Sequence, residues 1–264
     1  MFELAGSRAV VTGTSQGIGK AVAERLAEAG AHVAGIYKWD PDGAEDCAER
    51  IRAAGREAIM IEGDTGDPAQ VDALARAAVD AWGGIDIWVN NAARLLVHPF
   101  LELGDDDWHG LLAANLHGYF YGCRAAARQM AAQGGGGRIV NVTSIVNFQP
   151  VAELTAYATA KGAIASMTKS LGLELAPHGI LVNAVAPGST DTPLNAKAYT
   201  PEVRRTYESR IALGRIATAE EIADVVVFLC STGSRYMTGL EILVDGGMVI
   251  NGNVGHVSGG HSGT

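Results

Sequence analysis

The sequence predicts an α/β protein: a doubly wound parallel sheet of about seven strands with helices on both faces. Three observations carry this reading. Short β-branched runs alternate with helical patterns along the chain. The strand runs are continuously apolar rather than alternating, as expected where helices cover both faces of a sheet. Strict strand–helix alternation implies right-handed crossovers between parallel strands.

The elements follow in order. Residues 9–11 form the first strand and 21–29 the helix behind it. Residues 31–37 are the second strand, 44–54 the second helix and 58–61 the third strand. The helix over 71–82 starts just after Asp67-Pro68, an N-cap followed by proline at the first helical position. Residues 85–89 read as a buried strand. Residues 105–133 read as one long helix, with three aspartates at the end where the helix dipole favours them. The glycine run 134–137 stops it, and 138–143 is the next strand. A second long helix covers 155–176, a strand 180–184, two helices 201–210 and 219–230, and a last strand 240–244. Nothing resembling a linker or an internal repeat divides residues 1–264, so they are read as one domain. The Gly/Ser-rich tail from about 252 is expected to be loosely held.

Composition narrows the function. A net charge of −9 argues against a nucleic-acid binder, which needs clustered Lys and Arg. No apolar run approaches the length of a membrane span, and the first residues lack a signal peptide's basic start and apolar stretch. Cys47, Cys123 and Cys230 are odd in number and far apart, which points to a reducing, cytoplasmic setting without a disulfide framework. His32, His109, His117 and His178 have no metal-ligand spacing. His256 and His261 stand in the tail without further ligands, so no metal site is expected.

Two motifs carry chemistry. The first strand runs into Thr12-Gly13-Thr14-Ser15-Gln16-Gly17-Ile18-Gly19, and a helix begins there. Glycines let the backbone turn sharply and approach a pyrophosphate, and the helix N-terminus offers N–H groups and positive dipole. Further along, Tyr157 and Lys161 lie four apart on one helical face. A free tyrosine titrates near 10 and is a poor base at neutral pH, whereas a neighbouring cation stabilises the phenolate. That tuning suits proton exchange with an alcohol as hydride leaves its carbon. Ser144 ends the preceding strand, at the sheet edge where parallel sheets present their ligands, and is placed to bond the reacting oxygen. Asn90-Asn91-Ala92-Ala93 ends the strand before that, and Asn115 lies in the intervening helix.

On these residues the chain resembles the short-chain dehydrogenase/reductase family over roughly residues 4–247, a Rossmann-type fold. The matching pieces are 12–19, 90–93, Asn115, Ser144, Tyr157 with Lys161, and Pro187-Gly188 with Thr192. The resemblance implies that Tyr157 is the acid/base, Ser144 orients the substrate oxygen, and Lys161 lowers the tyrosine pKa and holds the nicotinamide ribose. It implies that Asn115 holds a water extending a proton relay from Lys161. The loop of Gly13, Ser15, Gln16, Gly17, Ile18 and Gly19 would cradle the pyrophosphate, and Asp64 and Thr65 would meet the adenine. Asn91 and Ala92 would line the cofactor cleft, and Pro187, Gly188, Thr190 and Thr192 would embrace the nicotinamide. Ala93 departs from the family, which often has glycine there. A homotetramer is implied, with the helices over 105–133 and 155–176 as its main interface.

Cofactor choice is read at the end of the second strand, where an acidic residue would bind the ribose 2′-hydroxyl and repel a 2′-phosphate. Tyr37 stands there, followed by Lys38, which favours NADP over NAD. Gln16, uncharged, and the nearby Asp40 and Asp42 count the other way. The expected substrate is a small secondary alcohol or ketone, with a polyol or sugar suggested by Arg94, Asn147, Gln149 and Glu153 around the reaction centre. A 3-oxoacyl thioester or another bulky ketone is the enzymatic alternative. A non-catalytic dinucleotide-sensing regulator is the alternative of another class.

Overall fold

The computed structural model describes residues 3–196 and 198–251. Seven strands build one parallel sheet: β1 (Arg8–Thr12), β2 (His32–Tyr37), β3 (Ala58–Glu62), β4 (Ile87–Asn90), β5 (Gly137–Val142), β6 (Ile180–Pro187) and β7 (Glu241–Val244). Their spatial order is β3-β2-β1-β4-β5-β6-β7, every neighbouring pair parallel. The chain winds outward from β1 to β3, then returns to β4 on the other side of β1. Between β1 and β4, therefore, the crossovers part to opposite faces and leave a crevice at the carboxyl ends of the strands.

The described residues form eight α-helices, of which all but α4 and α7 pack on the sheet: α1 (Gly17–Glu28), α2 (Pro41–Ala53), α3 (Pro68–Trp82), α4 (Asp105–Leu112), α5 (Gly118–Gln133), α6 (Thr155–Glu174), α7 (Pro201–Arg210) and α8 (Ala219–Cys230). Successive strand residues point to opposite faces, and here both faces are buried. Ala9, Val11, Val140 and Val142 pack toward α1 and α8, against Val22, Leu26 and Val226. Val10, Trp88, Ile139 and Val182 pack the other way, against Leu74 of α3 and Met130 of α5. This two-sided burial is why the strands read as unbroken apolar runs. Each fully buried leucine or isoleucine contributes about 1.5–3 kcal/mol over exposure. The three cysteines are buried and unpaired, and burial raises each thiol to about 12. No helix among the described residues is long and apolar enough to cross a membrane.

The expected helix over 105–133 is interrupted. A π-helical turn, Ala113–His117, separates α4 from α5. The wider turn admits an extra residue per loop of the ladder, a deviation often found at functional sites, and it brings Asn115 inward. The helix expected to reach 176 ends at Glu174. Pro177 cannot continue the hydrogen-bond ladder, and a 3₁₀ turn, Ala176–His178, closes on Gly179 in left-handed conformation (φ 71°). Asp40-Pro41 starts α2 as Asp67-Pro68 starts α3, each aspartate accepting a backbone N–H of the first turn. The tail from 252, with His256 and His261, lies outside the described residues.

One ion pair fastens the start of β1 to the residue before β4. Arg8 Nε and Nη2 donate to the two carboxylate oxygens of Asp86 at 2.8 and 2.7 Å, and the Arg8 backbone N–H adds a bond of 2.9 Å. Burial works to raise the Asp86 carboxyl, but the Arg8 hydrogen bonds and charge outweigh it and hold the group below its ordinary 3.8. A carboxylate depressed on folding stabilises the native state above its unfolded pKa and loses that contribution as pH falls. We expect Asp86→Asn to cost about 1 kcal/mol at pH 7, the pair being partly exposed. The urea midpoints of parent and variant should converge below about pH 4. A gap unchanged down to pH 3 would show that the charge contributes nothing.

Candidate active site

The crevice between β1 and β4 opens into two adjoining cavities. The inner groove has a volume of about 460 Å³ and is lined by Gly13, Ser15, Gln16, Gly17 and Ile18 on one side. Gln16 precedes α1 without a side-chain capping bond, and no acidic residue stands in the first turn. The N–H groups and dipole of α1 therefore face the groove unopposed by charge, as an anion requires. Gly17 has a φ of +56°, and a Cβ there would meet Thr192 at 3.3 Å across the cleft. Gly19 lies off the groove, where a Cβ would collide with the Gly13 carbonyl. The loop can pass this close to itself and to Thr192 only without side chains at these two positions.

Thr12 Oγ1 accepts the N–H groups of Asn91 at 2.9 Å and Ala92 at 3.0 Å, while Asn91 Nδ2 donates to the Thr12 carbonyl at 3.0 Å. These bonds lock the ends of β1 and β4 together at the lip of the crevice. Tyr37, Lys38, Asp64 and Thr65 line the far end of the groove. Lys38 Nζ bonds Asp64 Oδ2 at 2.5 Å and lies 5.1 Å from the centre of the Trp39 ring. Burial works to raise the Asp64 carboxyl, but bonds from Lys38 and the Gly66 N–H prevail and hold it low. Asp40 is turned away to cap α2, accepting the Gly43 N–H at 2.9 Å.

The outer cavity, about 580 Å³, takes Ser144, Tyr157, Lys161, Pro187, Gly188, Thr190 and Thr192 into its lining. A buried polar ladder sets α6 against the sheet. Trp88 Nε1 donates to Asn90 Oδ1 at 2.8 Å, Asn90 Nδ2 to Asn141 Oδ1 at 2.9 Å, and Asn141 Nδ2 to Thr168 Oγ1 at 3.0 Å. Two turns before Thr168, Lys161 is 1% exposed. Its Nζ donates to the Val142 carbonyl at 2.7 Å and to Tyr119 Oη at 2.9 Å. No carboxylate pairs with it among the described residues, and burial lowers the ammonium to about 7. One turn earlier, Tyr157 is half-buried. Burial raises its phenol to about 12, against a hydrogen bond from Ser144 that lowers it. Ser144 Oγ is itself oriented by the Val146 N–H, at 3.3 Å, in a short 3₁₀ turn.

The sequence reading has the Lys161 charge lowering the phenol. In this structure Nζ lies 5.6 Å from the Tyr157 ring centre and spends its bonds on Val142 and Tyr119. Asn115, fully buried, lines neither cavity. Its amide clamps the Arg94 backbone, accepting the N–H and donating to the carbonyl, both at 2.7 Å. Of the four polar residues expected at the substrate, Gln149 and Glu153 line the outer cavity. Glu153 has a φ of +66°, and its carbonyl accepts the His98 N–H at 2.8 Å. Arg94 lies in the inner groove instead. Asn147 lines neither cavity: its amide donates to the Lys161 carbonyl at 3.2 Å and to Glu241 at 2.7 Å.

Three things escaped the sequence reading. Thr12 stands inside the loop motif, but its role depends on β1 adjoining β4. Tyr119 follows Asn115 by one turn. Leu194, Tyr199 and Tyr207, with Met248, form an outer wall on which the two tyrosine rings sit 5.4 Å apart. Two aromatics in the one long excursion between β6 and α8 were the available signal.

A family model described as enoyl-(acyl carrier protein) reductase matches residues 13–249. The chain belongs to the short-chain dehydrogenase/reductase family. Among its relatives is 3beta-hydroxysteroid dehydrogenase 1 of Eggerthella lenta, 37% identical over 94% of this chain and 95% of that protein. L-rhamnose 1-dehydrogenase (NAD(P)(+)) of a Sphingomonas species is 38% identical over 94% and 98%. The crystal structure of acetoin dehydrogenase from Enterobacter cloacae superposes with a TM-score of 0.86 at 37% identity, over 96% and 99% of the two chains. As a short-chain dehydrogenase/reductase the protein is an oxidoreductase, from a family that uses NAD(P). The open α1 terminus and the side-chain-free loop at Gly17 fit such a dinucleotide.

Proposed function

We propose that the protein interconverts a bulky, mainly apolar secondary alcohol and its ketone, with Tyr157 as general acid/base and NADP preferred. The observation that carries this reading is the convergence of Ser144 and Tyr157 on a cavity whose remaining wall is largely apolar, with Leu95, Val97, Val151, Leu194, Val203 and Met248. A substrate there buries its skeleton on that wall and sets its oxygen between the two hydroxyls. Ser144 donates a hydrogen bond to the oxygen, and Tyr157 gives or takes the proton at Oη. The Lys161 ammonium, one turn along α6, favours the phenolate once Tyr157 has given its proton. Nicotinamide dinucleotide, when bound, supplies or accepts the hydride. Raised to about 12, the phenol keeps its proton at neutral pH, and it is a weak donor until the Lys161 charge favours the phenolate. A second reading, a polyol or sugar, draws on Gln149 and Glu153 in the same wall and on the rhamnose-oxidising relative.

For the cofactor, the support is the end of β2, where the carboxylate that lines the groove among the described residues, Asp64, is already bound to Lys38. Tyr37 occupies that place, Asp40 caps α2, and Lys38 offers its ammonium within the groove. A 2′-phosphate would compete with Asp64 for Lys38.

Tyr157→Phe should lower turnover about 10²–10⁴-fold while cofactor binding, followed by nucleotide fluorescence, stays at the parental level. Turnover close to the parent's would remove Tyr157 from the chemistry. Lys38→Ala withdraws a charge and releases the Asp64 carboxylate toward the phosphate, so KM for NADP should rise about tenfold while that for NAD holds. A parent enzyme strongly preferring NAD overturns the cofactor reading. In a series of 2-alkanols, kcat/KM should rise about fourfold per added methylene until the cavity is filled, from roughly 0.8 kcal/mol each. Polyols outperforming alkanols of equal length would transfer the case to the second reading.

A further inference from the structure

We propose that Tyr119 is a positioning residue of the reaction: its hydroxyl, fixed by the Val142 carbonyl, accepts a hydrogen bond from Lys161 and holds the ammonium in place and in its charged form. The kinetic part of this rests on the role of Lys161 described above.

The geometry leaves Tyr119 little choice. A phenol has one proton, and Tyr119 Oη donates it to the Val142 carbonyl at 2.9 Å. Its lone pairs therefore face Lys161 Nζ, which donates to it at 2.9 Å and to the same Val142 carbonyl at 2.7 Å. Three polar atoms close a ring that joins the first turn of α5, the last residue of β5 and α6. Both residues are 1% exposed. An ammonium has three N–H donors. Two are spent in the ring, and one remains for the cavity that Lys161 lines.

The groups around Nζ explain why one hydroxyl matters. The titratable side chains facing it are phenols, Tyr119 from α5 and Tyr157 from α6, and Cys123 of α5 lies behind Tyr119, bonded to Asn90 and Asn141. From β5 and the segment after it come Val142 and Ser144, neither charged. No Asp or Glu makes an ion pair with Lys161 among the described residues. The charge is therefore held by two oxygen acceptors and two ring faces without a counter-ion, and burial lowers the ammonium to about 7. Removing one of two acceptors from such a group shifts it further toward the neutral amine.

A purely structural role makes a different forecast. Tyr119→Phe keeps the ring, its volume and its face, whose centre lies 4.6 Å from Nζ, and deletes only the oxygen. If Tyr119 were just a packed aromatic, the variant would change the melting temperature and leave the titration of Lys161 alone. The test is a pH titration of the Lys161 side-chain nitrogen by ¹⁵N-lysine NMR in the full chain, the signal assigned by its loss in Lys161→Met. Tyr119→Phe should lower the midpoint by about one to two pH units, the worth of a hydrogen bond to a charged group. The pH at which ketone reduction declines should fall by the same amount, with kcat at pH 7 down about tenfold and KM for the ketone little changed. Should the Phe variant fail to fold, Tyr119→His, which restores an acceptor, should titrate above Tyr119→Leu. An unmoved Lys161 midpoint in a folded Phe variant, or equal midpoints for His and Leu, overturns the proposal. A shifted midpoint with an unchanged rate profile leaves the Tyr119 bond standing and removes Lys161 from the proton chemistry.

Discussion

Parallel pairing throughout the sheet sends the carboxyl end of every strand to one edge. At that edge Gly13, Asn91, Ser144 and Gly188 come within one cleft although up to 175 residues separate them in the chain. Register does the finer work. Asn90 lies opposite Asn141 because β4 and β5 pair Ile87 with Arg138 onward, and only in that register does the amide ladder reach Thr168 on α6. The ladder sets the depth of α6, and so the depth of Lys161 and Tyr157. Each rung is buried, and a rung left unpaired would cost about 1–3 kcal/mol, so the register and the site stand or fall together.

Charge is handled in the cleft by commitment. The chain carries a net −9, yet the acidic side chains nearest the dinucleotide groove already have partners. Asp40 is bound to the start of α2 and Asp64 to Lys38 and the Gly66 N–H. The first turn of α1 holds no carboxylate at all. A polyanionic ligand thus meets backbone N–H groups and a lysine rather than the excess negative charge of the surface. Deeper in, Lys161 has no carboxylate partner among the described residues, and burial lowers its ammonium to about 7.

The strands, their number and the two-sided core were legible because both faces of the sheet are buried, which leaves unbroken apolar runs such as Ala9-Val10-Val11. The glycine loop and the Tyr157–Lys161 spacing were legible because each is local: one turn of backbone, one turn of helix. The π turn at Asn115 was not, since a single extra residue in a helix leaves no mark in hydrophobic periodicity. Arg94 and Asn147 were placed near the substrate by their distance along the chain from Asn91 and Ser144. Asn115 grips the Arg94 backbone and Glu241 draws Asn147 aside, and both partners are remote in sequence. Tyr119 escaped for a related reason. Its role lies in a contact with a strand and a helix that begin about 20 and 40 residues later, a distance a spacing argument cannot bridge.

Ile18, Asn91, Thr192 and Leu194 line both cavities at once. A wall with two sides cannot be adjusted for one occupant alone. Whatever a dinucleotide does to order the stretch from Thr192 to Leu194 also reshapes the pocket beyond it, so the two occupants are energetically linked. Linkage is reciprocal: by whatever factor the first molecule tightens the second, the second tightens the first. The partition that divides the cleft is thus also the place where occupancy of one half can be felt in the other.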